Sequence, residues 1–252
     1  VHVLVDTERE LDTGETTASR ATTLGGQAVA IASRKLRAAL DALSPGAQPR
    51  DLAGKEFGGE FVVDWTTPIG EGIADPVTHL AYGWATQVVI LDEEGRLARV
   101  VAAQDVGRAM NPTLLEGQIE GGVHMGLGMA LSEAFVTEGS VPLNGTLKSL
   151  GILPAAAMPP VEVIVVEEAQ PEGPYGAKGA GEAVLVPTPA AVAGALFAFD
   201  GVRRTALPMR DSAAARAALP RLDLLPRAGI AGAGRPREVK ETAPVAEPGG
   251  SS

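Results

Sequence analysis

The sequence of 252 residues is 45% hydrophobic but only 4% aromatic, so one large or two small domains can form around a mainly aliphatic core. Its formal net charge of −10 disfavours nucleic acids and anionic membrane surfaces as partners. The absence of cysteine excludes disulfides, zinc–thiolate sites and iron–sulfur clusters held by this chain.

A strand, a long helix and a second strand are predicted in the first part of the chain. Alternating valines in residues 1–5 predict a strand already under way at the first residue, which indicates a fragment or a processed subunit. Alternation in residues 61–65 predicts another strand. Apolar spacing predicts a helix over residues 23–43, with an apolar face formed by Val29, Leu36, Leu40 and Leu43.

The clearest local pattern is a β-hairpin followed by a helix. Two β-type runs, residues 80–91 and 96–103, are joined by a turn with Gly95 where a positive φ is needed. A helix is then predicted from Asn111 to residue 134. Asn111 is its predicted N-cap, and the proline that follows Asn111 suits the first helical position. Glycine disfavours helix interiors, so we expect another segment to approach this helix closely at Gly117, Gly121, Gly122, Gly126 and Gly128.

The remainder of the chain predicts short strands, short helices and a tail. Residues 184–199 are its most apolar stretch but are too short to span a bilayer, so we expect no membrane association and a cytoplasmic location. Residues 220–252 offer little to bury, which predicts a disordered tail. The predicted elements are strands over residues 161–166 and 202–207 and helices over residues 189–199 and 211–219.

A glycine-rich loop over residues 173–181, Gly-Pro-Tyr-Gly-Ala-Lys-Gly-Ala-Gly, is the densest signal, and it ends at Glu182. Its glycines allow backbone amides to face a bound group such as a phosphate or a pterin. The loop is neither a Walker A motif nor a dinucleotide fingerprint, because the required residues and spacing are absent. Glu182 fits two interpretations: a carboxylate in the first turn of a helix, or a general base in a glycine-lined site.

The glycine-rich helix also carries polar side chains. Gln118 can donate to and accept from an oxo group or a pterin ring. Glu116, Glu120 and His124 lie four apart on one helix face, which fits a metal site but is more typical of a hydrogen-bonded polar face.

Residues 16–20, Thr-Thr-Ala-Ser-Arg, stand directly before the first predicted helix. The hydroxyl-bearing residues fit a helix cap. This is the favoured interpretation of these residues alone; the second is a cradle of hydroxyls and backbone amides for an anionic group.

Five stretches occur in the order ETTASRATTLGGQAV, AAQDVGRAMNP, EGQIEGGVHMGLGMAL, GPYGAKGAGEA and AVAGALFAFDGVRRTALP. Together they resemble the C-terminal part of the molybdenum-binding subunit of the xanthine dehydrogenase and aldehyde oxidase family, with most similarity to its selenium-dependent xanthine dehydrogenase branch. The resemblance covers residues 1–210, and its most specific motifs are GQIEGG and GAKGAGE.

This resemblance implies a molybdenum hydroxylase that adds a water-derived oxygen to a C–H carbon of a purine, another N-heterocycle or an aldehyde. It implies a molybdopterin-type cofactor, as such or as a dinucleotide, with the metal held through the pterin dithiolene and not by side chains. Glu182 matches the family's general base. Iron–sulfur clusters and FAD are expected on partner chains or domains. The positions matching the family's pterin contacts are Ala18, Ser19, Gln118 and the backbone of Lys178, Gly179, Ala180 and Gly181.

The chain also departs from the family pattern. It lacks the family's FGG-type loop, Arg-containing substrate loop and Gln near the metal; residues 57–59, Phe-Gly-Gly, occur in the wrong order to supply the first. Ala183 stands where many relatives have proline. We therefore expect half a cofactor site that is completed by the remaining part of the molybdenum subunit. The rival interpretations are a non-catalytic assembly module from a truncated or split gene and a small phosphate-binding module.

The expected fold class is α+β, with sheet-and-helix units of the molybdenum-cofactor-binding type. These units occupy residues 1–219, with possible sub-units at 1–46 and 56–219, and the tail occupies residues 220–252.

Overall fold

The computed structural model of the protein describes residues 8, 15–67, 70 and 72–219. The strand predicted over residues 1–5 and the tail predicted over residues 220–252 lie outside the described residues. Helices and strands both contribute to the core, which confirms the α+β class. The division into sub-units at 1–46 and 56–219 stays a prediction. No described helix combines the length and apolarity needed to cross a membrane.

Helix α1 (Ala21–Asp41) confirms the first predicted helix, but its predicted apolar face is not its buried one. Only Thr23 and Ala30 are buried, while Val29 is 66% exposed. The helix packs instead through its glycine side, where a side chain at Gly26 would meet Pro174. Burial therefore follows the contacts that the rest of the chain offers and not the spacing alone.

A three-stranded sheet contains β1 (Ala85–Leu91), β2 (Leu97–Asp105) and β5 (Val161–Val166), in that spatial order. β1 and β2 are antiparallel, with Val88 opposite Val101, which confirms the hairpin although β1 begins five residues later than predicted. β5 pairs in parallel with β2 and confirms the third strand. A parallel pair requires a crossover connection, which here contains the glycine-rich helix.

Helices α2 (Pro112–Leu131) and α4 (Thr188–Asp200) confirm two further predictions and pack against the sheet. The Asn111 side chain accepts a hydrogen bond from the Leu114 amide at 3.1 Å, which is the expected N-cap. The core formed by the sheet and these helices includes Val100, Ala102, Ile119, Val123, Leu127, Val184, Val192 and Leu196.

The remaining elements are short. They are α5 (Ala213–Ala218), which confirms the last predicted helix, the strand pair β3 (Thr137–Glu138) and β4 (Val141–Pro142), helix α3 (Leu147–Leu150), and 3₁₀ turns over Pro49–Leu52, Ala155–Ala157 and Pro174–Gly176.

Two predicted strands were wrong. Residues 61–65 are irregular: the rings of Phe61 and Trp65 lie 6.0 Å apart, whereas four residues of a strand span roughly 13 Å. Residues 202–207 are also irregular. There, Arg204 donates hydrogen bonds to Asp200 and Asp211, which ties the segment to its flanking residues instead of to a neighbouring strand.

The expected close approach to α2 is confirmed at two of its glycines. A Cβ at Gly122 would lie 2.7 Å from Val184 Cβ, and one at Gly126 would overlap Thr188. No described atom lies within 4 Å of a Cβ at Gly117 or Gly121, so those positions face open space. The segment that approaches α2 is therefore the one that joins Glu182 to α4.

We expect Gly122→Ala and Gly126→Ala each to lower the free energy of unfolding by about 1–3 kcal/mol, because the added methyl group would displace packed atoms. Gly121→Ala is the matched control on the same helix and should raise it by about 0.5–1 kcal/mol through helix propensity. Urea unfolding of the full chain measures all three. Equal effects at Gly121 and Gly122 would contradict the assigned packing.

Candidate active site

The glycine-rich loop is attached to the end of β2. Gly107 pairs with Ala177 in an isolated bridge, and the Lys178 amide donates to the Val106 carbonyl at 2.8 Å. A side chain at Gly107 would overlap the Gly176 carbonyl oxygen, and its φ of +60° also favours glycine. The sheet therefore fixes the first half of the loop.

A buried ion pair reinforces this attachment. Lys178 Nζ lies 2.6 Å from Asp105 Oδ2, and their side chains are only 7% and 2% exposed. Burial by itself raises the pKa of Asp105, but the Gly107 amide and the Lys178 ammonium outweigh it and hold that pKa below its usual value. Because its ammonium is paired with Asp105 and its amide donates to Val106, Lys178 can offer a ligand only its backbone carbonyl.

The end of the loop is joined to the segment before α1. Ser19 donates to Glu182 Oε2 from its backbone N–H at 2.6 Å and from its hydroxyl at 3.2 Å, and the Glu182 amide donates to Ser19 Oγ at 3.1 Å. Ala18 and Ser19 both have positive φ, at 50° and 53°, a strained conformation that clusters at functional sites. The strained turn therefore directs Ser19 at the Glu182 carboxylate.

The contacts of Ser19 and Glu182 bear on the alternative interpretations of residues 16–20 and of Glu182. The N-cap residue of α1 is Arg20, which forms no capping hydrogen bond through its side chain, so the helix-cap interpretation of residues 16–20 was wrong. Ser19 does cradle an anionic group, and that group is the chain's own Glu182. Because α4 begins only at Thr188, Glu182 does not lie in a first helical turn. Glu182 is exposed.

Three consecutive loop amides lack partners among the described residues. The backbone N–H groups of Gly179, Ala180 and Gly181 donate to none of them. A side chain at Gly179 would overlap the Ser19 carbonyl oxygen, so glycine is required there for the close approach of the two segments. Consecutive unpaired amides are typical of sites for anionic or strongly accepting groups.

A cleft of about 350 Å³ lies beside these amides. Gln118 lines it with an exposed amide that has no partner among the described residues. Ala18 lines a different cavity, of about 470 Å³. The residues that line the first cleft are Thr22, Val106, Arg108, Ala109, Met110, Asn111, Leu114, Leu115, Gln118, Ala177, Lys178, Ala180 and Gly181.

The polar face of α2 forms no metal site in the part of the chain that the structure describes. His124 Nε2 lies 2.9 Å from the Leu153 carbonyl oxygen, to which it donates, and Glu116 and Glu120 are exposed. No three metal-ligating side chains cluster among the described residues. The hydrogen-bonded interpretation therefore fits His124.

Comparison with known proteins adds family information. Residues 57–159 match the family described as a molybdopterin cofactor-binding domain. The xanthine dehydrogenase molybdenum-binding subunit of Escherichia coli O157:H7 is 34% identical over 113 residues, which is 44% of this chain. The gamma subunit of the 6-hydroxypseudooxynicotine dehydrogenase complex of Paenarthrobacter nicotinovorans is 36% identical over 118 residues, which is 45% of this chain.

A solved structure extends the similarity to most of the chain. The aldehyde oxidoreductase of Desulfovibrio gigas superposes on 86% of this chain with a TM-score of 0.67 and 25% identity. The matched regions amount to 15% of each of the two curated relatives and 24% of the aldehyde oxidoreductase chain. The similarity therefore concerns one part of much longer proteins.

Proposed function

We propose that this chain belongs to the family of molybdenum-binding subunits that includes xanthine dehydrogenase and aldehyde oxidoreductase, and that it forms the C-terminal part of the active site of a molybdenum hydroxylase. The observation that carries the proposal is one arrangement. Gln118, Ala180 and Gly181 line a cleft, and the amides of Gly179–Gly181 have no partner among the described residues. The loop leads directly to Glu182, whose carboxylate accepts hydrogen bonds from Ser19.

The residues present fit a molybdenum–pterin cofactor. Its pterin and phosphate oxygens accept hydrogen bonds, and Gln118 with the amides of Gly179–Gly181 supplies donors without partners among the described residues. The open space at Gly117 and Gly121 lets a flat group approach the helix. When bound, this cofactor supplies the redox chemistry that accepts two electrons from the substrate.

The proposed role of Glu182 is that of general base. Both hydrogen bonds from Ser19 go to Oε2, so Oε1 has no partner among the described residues and can take a proton. Ser19 orients the carboxylate by donating to it from its backbone N–H and its hydroxyl. Ala18, Ser19 and the loop backbone keep their predicted pterin contacts as part of this proposal.

The proposal extends to substrate, partners and location. The substrate is a purine, another N-heterocycle or an aldehyde that is hydroxylated at a C–H carbon with water as the oxygen source. Electrons leave through iron–sulfur and flavin centres on partner chains or domains, since this chain has no cysteine to hold a cluster. The remaining part of the molybdenum subunit completes the site, and the complex is cytoplasmic.

Molybdenum content of the native complex tests the proposal. We expect about one molybdenum atom per chain by elemental mass spectrometry when the protein is purified from its host, together with copurifying iron-containing polypeptides. A free 25.7 kDa chain without molybdenum would overturn the proposal and favour the non-catalytic assembly module.

Gln118→Ala should lower molybdenum occupancy of the complex several-fold, because the cofactor loses a donor on the cleft wall. Glu120→Ala is the matched control: it lies on the same helix, is exposed and does not line the cleft. Occupancy is counted in the same way for both variants. Unchanged occupancy in Gln118→Ala would contradict the cofactor role of Gln118.

A further inference from the structure

The cleft beside the loop has a charge opposite to that of the chain. The sequence carries 31 acidic and 21 basic residues, yet no acidic side chain lines the cleft within the part of the chain that the structure describes. Its two charged lining residues are Arg108 and Lys178. An otherwise acidic chain therefore presents a locally cationic cleft, which favours an anionic ligand.

Only one of these two cations is available to a ligand. The Lys178 ammonium is buried against Asp105 at 2.6 Å, so its charge is neutralised within the protein. The Arg108 guanidinium is exposed and has no hydrogen bond or ion pair with any described residue. Two carboxylates bind the neighbouring backbone instead: Asp105 accepts from the Gly107 amide at 3.0 Å and Glu167 accepts from the Ala109 amide at 2.8 Å. Among the described residues that line the cleft, Arg108 is therefore the one charged side chain without a counter-charge.

The backbone of Arg108 is fixed by hydrogen bonds, whereas the Arg108 side chain has no partner among the described residues. The Arg108 amide donates to the Gly176 carbonyl at 2.9 Å, and the next amide, that of Ala109, is held by Glu167. Ala180 and Gly181, whose amides have no partner among the described residues, line the same cleft. A planar guanidinium with two nearby N–H donors matches the several oxygens of a phosphate group, since the guanidinium can bind two of them at once.

We propose that Arg108 binds the phosphate group of the cofactor, an inference that rests on the proposed function. This group is a phosphomonoester, or a pyrophosphate if the cofactor is a dinucleotide. The cleft volume of about 350 Å³ lies within the usual range for small-molecule sites and holds a phosphorylated arm next to Gln118. Arg108 is then a binding residue and takes no part in the proton transfer assigned to Glu182.

Inorganic pyrophosphate is the probe that tests this inference without enzyme activity. Isothermal titration calorimetry measures pyrophosphate binding to the full chain at low ionic strength. We expect the affinity to fall at least about tenfold in Arg108→Ala. It should fall less in Arg108→Lys, because lysine keeps the charge but lacks the planar guanidinium. Arg34→Ala is the matched control, because Arg34 is exposed on α1 and lies outside the cleft. Its affinity should equal that of the wild type.

Three results of the calorimetry would overturn the inference: no pyrophosphate binding by the wild type, equal affinity in the wild type and Arg108→Ala, or equal weakening in Arg108→Ala and Arg34→Ala. A second readout is the molybdenum content of the native complex, which Arg108→Ala should lower. If the wild-type complex holds molybdenum and Arg108→Ala keeps all of it, this inference fails while the proposed function stands. If the wild-type complex holds none, the proposed function itself fails.

Discussion

Replacing Glu182 with glutamine in the native complex is expected to lower turnover by about 10²–10⁴-fold while molybdenum content stays near that of the wild type. The amide oxygen of the introduced glutamine can still accept the Ser19 N–H bond, so the loop geometry is retained. The amide cannot take a proton, however, and the unengaged Oε1 position loses its basicity. Steady-state rates with a substrate of the complex, together with metal analysis of the same samples, measure both effects.

Two further variants separate base chemistry from positioning. Glu120→Gln, the same change at an exposed site on α2, should leave turnover unchanged. Ser19→Ala removes only the hydroxyl bonds at 3.2 and 3.1 Å and keeps the 2.6 Å backbone bond, so its loss of turnover should be smaller than that of Glu182→Gln. Wild-type turnover in Glu182→Gln would rule out the base assignment.

The sequence predicted best those elements whose partners are local. The hairpin of β1 and β2 contains its own partner strand and turn, and α2 contains its own cap at Asn111. Residues 61–65 and 202–207 alternate like strands, but a strand also needs a neighbour to receive its hydrogen bonds, and no local pattern shows whether one is present. The apolar face of α1 was misjudged for the same reason, since burial depends on what packs there.

The candidate site also combines features that the local sequence shows with contacts that it does not show. The glycine-rich loop and Glu182 are visible in the sequence, but the contact between Ser19 and Glu182 joins residues 163 positions apart. That contact depends on how α1 packs against the loop, which spacing does not encode. The sequence analysis did not single out Asp105 or Arg108, to which a part in the site is assigned here, although an Asp-x-Gly sequence two residues after the strand predicted over residues 96–103 was available as a signal.

Asp105→Asn is expected to lower the free energy of unfolding by about 3–5 kcal/mol at neutral pH, because it leaves the Lys178 ammonium buried without its counter-charge. Asp41→Asn is the matched control: its ion pair with Arg37 is exposed, so the loss should be below about 1 kcal/mol. Urea unfolding of the full chain measures both. A loss below about 1 kcal/mol in Asp105→Asn would show that the ion pair does not hold the loop.

The pH dependence of stability tests whether the ionised Asp105 carboxylate causes the difference in the free energy of unfolding between the wild type and Asp105→Asn. The pKa of Asp105 is held below its usual value of 3.8, so the folded protein binds the proton less readily than the unfolded chain. The resulting stabilisation is complete above the unfolded pKa and is lost as the pH falls through the folded pKa. We therefore expect the wild type and Asp105→Asn to converge in stability as the pH is lowered from about 7 to below about 4. A difference that stays constant over that range would mean that packing or hydrogen bonding, and not the charge of Asp105, attaches the loop to β2.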